Sequence, residues 1–322
     1  MSRFISVVIA LAVCFVATAS ASGTSYVSRL LDTGGWNYSY ARDINNSGQI
    51  VGDVQNEGSG NAVIWNSYTS SPQLINTGEG DRESLGYTIN NSGTVTGYHT
   101  TSEGNVVMFQ WSSVNGITPG SSFFPYDGTI AGNVYDVNDA DYVVGFSVPD
   151  SSNPGETHAS LWHGENTVDI GTFGGTWSAA EAINNANLVA GVYGGDNGAI
   201  GNFQWSLDGE TTFIPANSSL DSGGLFGVVG INDNGVVLGN AEINGVDTVI
   251  TWSDSDGYTI VGNGIAYAIN NSNTIVGVTN EGTAQAVVWT PQVPEPSSIL
   301  ALLCSIGGLA GMLTITKRRR EV

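Results

Sequence analysis

Three histidines, two cysteines and 29 carboxylates are the side chains of this 322-residue sequence that could move a proton or hold a metal. Carboxylates are concentrated in Asp136-Val137-Asn138-Asp139-Ala140-Asp141 and Asp254-Ser255-Asp256-Gly257. Oxygen-rich turns suit a hard cation such as calcium. Neither stretch completes the loop of alternating ligands with Gly at the sixth and Glu at the twelfth place that an EF-hand requires. Solvated turns are expected, with calcium as the alternative. His158 and His163 flank Trp162 at a spacing foreign to zinc and are expected at the surface; His99 stands apart. Cys14 and Cys304 lie in the two terminal apolar segments, which leaves the middle without a thiol, a disulfide framework or a cysteine metal site. Ser222, in Asp221-Ser222-Gly223-Gly224, has the glycine-rich setting of a nucleophilic serine.

Stepping outward to the elements that would position these groups changes their meaning, because the chain is built of repeats. Six times an aliphatic residue is followed by Asn: Ile44-Asn45, Ile89-Asn90, Val137-Asn138, Ile183-Asn184, Ile231-Asn232 and Ile269-Asn270. Eight positions after each aliphatic stands a glycine (Gly52, Gly97, Gly145, Gly191, Gly239, Gly277), and some twenty after it a tryptophan (Trp65, Trp111, Trp162, Trp205, Trp252, Trp289). Loops equivalent to the one bearing Ser222 recur as Asp32-Thr33-Gly34-Gly35 and Gly171-Thr172-Phe173-Gly174-Gly175, so that serine is one variant of a turn between repeats. No catalytic residue, cofactor or metal is therefore expected. Chance pairs among so many acids leave a polysaccharide hydrolase or lyase as the alternative.

The spacing of the units is 45, 48, 46, 48 and 38 residues. Within the first, Tyr40 to Asn45, Gln49 to Gln55, Asn61 to Ser67 and Gln73 to Asn76 read as strands; Asn46-Ser47-Gly48 makes a tight turn in which Gly takes positive φ. Four short strands in a period near 45 are the measure of one propeller blade. The expected fold is all-β: a six-bladed β-propeller over residues 22–291. The segment resembling a fourth strand is missing after Trp289 and reappears at Val27 to Gly35, ahead of the first unit. That N-terminal strand is expected to complete the sixth blade and close the ring, removing an exposed edge. The repeat tryptophans, each in an apolar run such as Ala62-Val63-Ile64-Trp65, are expected in the core. A Trp lying over the plus-eight glycine would explain why no side chain is found there. The recurrent Asn is expected to bond the turn that follows it, a ring of six amides facing a ligand being the alternative.

Net charge is −21, and its distribution is uneven. Between residues 22 and 293 only Arg29, Arg42 and Arg82 oppose 27 acids, a net of −24. Such a surface repels nucleic acid and anionic lipid but admits cations and neutral polymers such as polysaccharide.

Both ends carry addresses. Arg3, the apolar stretch Phe4 to Val16 and the small residues Ala19-Ser20-Ala21 read as a signal peptide over residues 1–21. At the other end Pro294-Glu295-Pro296, in the linker 292–298, precedes an apolar run read as a single transmembrane helix at 299–316 and the basic tail 317–322. Lys317, Arg318, Arg319 and Arg320 should stay cytoplasmic and orient the propeller outward.

Two resemblances follow from these residues. The stretch Asp169-Ile170-Gly171-Thr172-Phe173-Gly174-Gly175, Ala182-Ile183-Asn184-Asn185, Val189-Ala190-Gly191 and Trp205, with Thr157-His158-Ala159-Ser160-Leu161-Trp162, resembles the extracellular HAF-type repeat of bacterial secreted proteins. Ser160 stands where that repeat usually has Phe, and the other units lack the His. The resemblance implies an exported propeller-like domain without an established active site. The tripartite tail resembles the PEP-CTERM sorting signal of Gram-negative bacteria. It implies an exosortase-type sorting protease as partner, initial anchoring in the inner membrane and delivery to the cell surface or an exopolysaccharide matrix. A non-catalytic binding or structural protein, in contact with extracellular polysaccharide or a surface protein, is the function expected.

Overall fold

A computed structural model of the protein describes residues 24–56, 59–76, 83–119, 132–149, 155–164, 166–195, 200–221, 226–279 and 282–292. The expected signal peptide, the Pro294-Glu295-Pro296 motif, the apolar run 299–316, the basic residues 317–320 and Ser222 lie outside them. Among the described residues no helix is long and apolar enough to cross a membrane.

The described residues form six four-stranded antiparallel sheets, one per repeat. In the first, Tyr38–Ile44, Ile50–Asn56, Ser59–Trp65 and Gln73–Leu74 pair in order, each boundary within two residues of expectation. The sheets touch through their first strands: Tyr38–Ile44 meets Glu83–Ile89 on one side and Ile265–Ile269 on the other. Gly132–Val137 meets Trp177–Ile183, which meets Gly227–Ile231, which in turn meets Ile265–Ile269. This is the layout of a β-propeller. The strand Tyr26–Leu30 pairs with Ala286–Pro291 of the sixth sheet, Ser28 opposite Trp289, so the N-terminal strand supplies the outer strand that the sixth repeat lacks.

Apolar side chains fill the junctions between sheets. Trp65, Ile44 and Leu31 pack with Val276 and Val288 between the sixth sheet and the first; Trp289 packs with Leu238 and Val249 between the fifth and the sixth. Trp65, Trp162, Trp205, Trp252 and Trp289 are buried and Trp111 half-buried, the core position expected of them. Burying each such side chain contributes on the order of 2 kcal/mol. The Trp65 indole also donates to the carbonyl of Asp32 (2.8 Å), tying the core to the connection that closes the ring.

The repeat asparagines bond their turns as expected. Asn45 Oδ1 accepts from the N–H groups of Ser47 and Gln49, both at 3.0 Å, and the residue three places after each repeat Asn has positive φ. That place is Gly in three units and Asp141, Asn187 or Asn273 in the others, the short polar residues that best tolerate this conformation. The sequence did not announce the second bond. Asn45 Nδ2 donates to the Asn90 carbonyl of the next sheet (3.1 Å), and Asn138, Asn184, Asn232 and Asn270 reach the carbonyls of Asn184, Asn232, Asn270 and Asn45. All five amides point the same way round the ring.

The reason for the plus-eight glycine differs from the one expected. In every sheet the pairing of first and second strands slips by one residue, at Ala41/Asp43, Gly86/Thr88, Val134/Asp136, Ala180/Ala182, Val228/Gly230 and Ala266/Ala268. This bulge presses a backbone carbonyl onto the glycine opposite. A Cβ on Gly52 would stand 1.8 Å from the Tyr40 oxygen, and one on Gly277 2.0 Å from that of Ile265. Carbonyls take the same place over Gly97, Gly145, Gly191 and Gly239, joined by Phe109, Phe203 and Phe226 at the first, third and fourth of these. No tryptophan is among the nearest neighbours of any of the six.

One junction departs from the pattern. Between the second and third sheets no link of the asparagine ring forms among the described residues, and no buried apolar cluster spans them. Asn90 is exposed where Asn45, Asn138, Asn184, Asn232 and Asn270 are buried. Val137, whose counterparts Ile44, Ile89, Ile183 and Ile231 pack against the preceding sheet, is 47% exposed. Elsewhere a second tier of bonds also joins neighbours. Ser84, Ser178 and Ser39 hydroxyls accept from Ala62, Ala159 and Ala286, while Asn202 and Asn240 pair with the backbones of Phe226 and Ala266. In the third repeat the place of those serines is taken by Gly132, which has no hydroxyl.

Candidate functional site

The bulge that requires the glycine also puts one extra residue on each inner strand. These residues are Arg42, Tyr87, Tyr135, Glu181, Val229 and Tyr267, each three places before its repeat Asn. The backbone is the same six times; the side chain is not. The bulge side chains of neighbouring sheets face one another: the Arg42 guanidinium lies 5.2 Å from the centre of the Tyr87 ring and 5.5 Å from that of Tyr40. Tyr87 is 42% and Tyr135 44% exposed, so the ring of bulges is open to solvent.

The residue after each repeat glycine enlarges the site. On the first sheet it is Asp53, fully buried, whose Oδ1 accepts from Arg42 Nε at 2.5 Å while Oδ2 accepts from Gln55 at 2.6 Å. Burial pushes the Asp53 carboxyl up, against the pull of Arg42 and Gln55. Burial likewise works against the Arg42 charge, but Asp53 more than compensates and the guanidinium stays protonated. On the second and third sheets the same place holds aromatic partners: Tyr98 packs on Tyr87 with ring centres 5.8 Å apart, and Phe146 on Tyr135 at 5.9 Å. Burial raises the Tyr98 phenol, helped by Glu83 and Tyr87, and burial raises that of Tyr135, helped by Glu181. On the fourth sheet Glu181 is half-buried, and burial alone raises its carboxyl. Among the described residues no donor reaches it. The ring therefore carries one self-neutralised cation, two aromatic pairs, and one carboxylate without a hydrogen-bonding partner.

The residues singled out from the sequence sit elsewhere. His163 is exposed and stacked on Tyr142 (4.2 Å between ring centres). His158 is half-buried rather than fully at the surface: Nδ1 lies 2.8 Å from Asp169 Oδ2 and Nε2 3.4 Å from Glu156 Oε1. Burial lowers its pKa, and the bonds to the two carboxylates outweigh that and raise it. The turn at Asp136 to Asp141 is held by hydrogen bonds from the protein itself. Asp136 accepts from the N–H groups of Val137 and Ile183, and Asn138 Oδ1 from those of Ala140 and Tyr142. Among the described residues no three His, Cys, Asp or Glu side chains converge as metal ligands. The bulge residues themselves escaped the sequence reading. Their signal was a column of unlike side chains, Arg, Tyr, Tyr, Glu, Val and Tyr, at a fixed distance from an unvarying Asn.

Fold and site together define an all-β protein of the β-propeller class. No protein-family model and no curated protein matches the chain. Several solved structures are similar in fold. TolB from Acinetobacter baumannii is 12% identical with a TM-score of 0.45, covering 84% of this chain and 67% of that one. Oligogalacturonate lyase from Vibrio parahaemolyticus is 10% identical with a TM-score of 0.45, covering 84% and 98%. The β-propeller domain of the Trilobed protease from Pyrococcus furiosus is 9% identical with a TM-score of 0.44, covering 78% and 95%.

Proposed function

We propose that the six sheets are the blades of one six-bladed propeller, exported and sorted to the cell surface by its C-terminal signal, and that it acts as a non-catalytic binding protein for extracellular polysaccharide. The observation that carries the binding role is the bulge ring, an invariant backbone that presents unlike side chains at six equivalent places around one centre. Two exposed aromatic pairs offer flat apolar faces of the kind that sugar rings stack on. Of the two acids at the bulges and at the places after the repeat glycines, Asp53 is committed to Arg42 and Gln55, which leaves Glu181 as the one free carboxylate of these two columns, and glycoside hydrolysis calls for two. The exported location rests on the sequence at both ends, above all Pro294-Glu295-Pro296 followed by an apolar run and Lys317-Arg318-Arg319-Arg320.

The rival reading, a polysaccharide hydrolase or lyase, has one observation in its favour. Glu242 and Asp247, opposite each other on adjacent strands, line a cleft of about 330 Å³ between the fifth and sixth sheets. Glycan-array binding and a polysaccharide-degradation assay on the purified full-length protein separate the two. Binding without turnover is expected. Turnover abolished by Glu242→Gln would transfer the function to the cleft, and silence in both assays would remove polysaccharide as the ligand.

A further inference from the structure

Glu181 differs from three carboxylates on or next to inner strands. Asp43, Asp53 and Asp136 each accept two hydrogen bonds from the protein. Glu181 accepts none among the described residues, although it is half-buried. A carboxylate taken partly out of water and given no donor is costly unless something else supplies the positive end. Its neighbour on the adjacent inner strand is Tyr135, whose phenol feels the Glu181 charge and whose ring packs on Phe146. The strands of Tyr135 and Glu181 are in contact at equivalent bulges, and an anion next to an aromatic ring is a composition that receives an ammonium group, by charge and by attraction to the ring quadrupole. The field of the whole surface acts in the same sense, since a net of −24 over residues 22–293 gathers cations and repels uronate polymers. Arg42, on the opposite side of the ring, does not cancel this, because Asp53 already neutralises it.

We propose that Glu181, with the Tyr135–Phe146 ring pair, binds the protonated amine of a deacetylated hexosamine unit in a glycan. The inference rests on the polysaccharide-binding reading and names the sugar that reading leaves open. A glycan amine, and not a lysine side chain, is the ligand that follows from that reading. Affinity should fall as acid protonates the Glu181 carboxyl, which burial raises above its ordinary value.

Calorimetric titration of the full-length protein tests this with three probes: a glucosamine hexamer, the N-acetylglucosamine hexamer and a lysine hexapeptide. The glucosamine hexamer should bind, the acetylated one about tenfold or more weakly, and Glu181→Gln should lose a similar factor while its melting temperature stays unchanged. Should Glu181→Gln fail to fold, Tyr135→Leu and Phe146→Leu should each weaken the amine-bearing probe more than the acetylated one. Equal binding of both hexamers, indifferent to Glu181→Gln, overturns the amine site and leaves polysaccharide binding standing. Binding of the peptide alone overturns the glycan assignment. If neither these hexamers nor any glycan on the array binds, the broader reading falls first and takes this one with it.

Discussion

The junction between the sixth and first sheets and the junction between the second and third do the same geometrical job with very different means. At the first, Trp65, Ile44 and Leu31 pack against Val276 and Val288, Asn270 reaches the carbonyl of Asn45, Ser39 accepts from Ala286, and Tyr26–Leu30 is paired into the sixth sheet. At the second, among the described residues, none of these devices recurs. Thr88 occupies the place where Asp43 and Asp136 carry the carboxylates that reach Ile89 and Ile183 across their junctions. Among the described residues, then, fastening is strong where the chain ends meet and sparse at one internal junction, which the covalent chain crosses.

Removing residues 24–30 should have the largest effect on that contrast. It strips the sixth sheet of its outer strand and exposes an edge, and the thermal midpoint should drop by roughly 10 °C or more, with aggregation on heating. A midpoint unmoved would mean that the strand is decoration. The bulge glycines come next. Since the bulge belongs to each sheet and not to a junction, Gly97→Val and Gly145→Val, on either side of the sparse junction, should cost as much as Gly52→Val, about 3 kcal/mol or more in chemical denaturation. A markedly cheaper Gly97→Val or Gly145→Val would show that the junction sets the bulge.

Asparagine substitutions compare the junctions directly. Asn270→Ala removes both the turn bonds and the link to Asn45 and should cost about 2–3 kcal/mol, whereas Asn90→Ala removes only turn bonds and should cost about 1 kcal/mol. Equal losses would place a hidden link at Asn90. The buried carboxylates add a pH dependence. Burial raises Asp43 to about 7 and Asp136 to about 6, above the ordinary 3.8. Each then holds its proton more tightly folded than unfolded, so its stabilisation is complete below the unfolded value and is lost as pH rises through about 6 to 7. The melting temperature should decline from pH 5 to pH 8 and flatten in Asp43→Asn; a rise over that window would contradict the burial. Smallest of all, Thr88→Asp gives the sparse junction the carboxylate it lacks and should add about 0.5–1 kcal/mol.

Much of this was legible in the residues. An Asn-containing turn recurring six times, a glycine at a constant distance and a fourth-strand segment displaced to the N-terminus sufficed for the sheets, the strand boundaries of the first and the pairing of the N-terminal strand with the strand that bears Trp289. The bulge was not legible, because a strand alternates faces with period two and a single inserted residue leaves no mark until the partner strand is aligned with it. With the bulge hidden, Gly52 was assigned to the nearest bulky residue type, Trp, when the crowding atom was a backbone oxygen that no sequence displays. The same blindness hid Arg42, Tyr87, Tyr135 and Glu181, which read as ordinary strand residues. Gly132 and Thr88 were in plain view, yet their meaning depended on knowing which serines and aspartates reach across a junction.

The strand Tyr26–Leu30 has a temporal consequence. Of the described strands it is synthesised first and its partner, Ala286–Pro291, last, so the earliest of them waits longest for its place. The entropic cost of bringing such distant segments together grows only slowly with their separation, so the delay is one of order of manufacture more than of energy. A copy stopped before Ala286–Pro291 would leave Tyr26–Leu30 unpaired and the sixth sheet with an open edge.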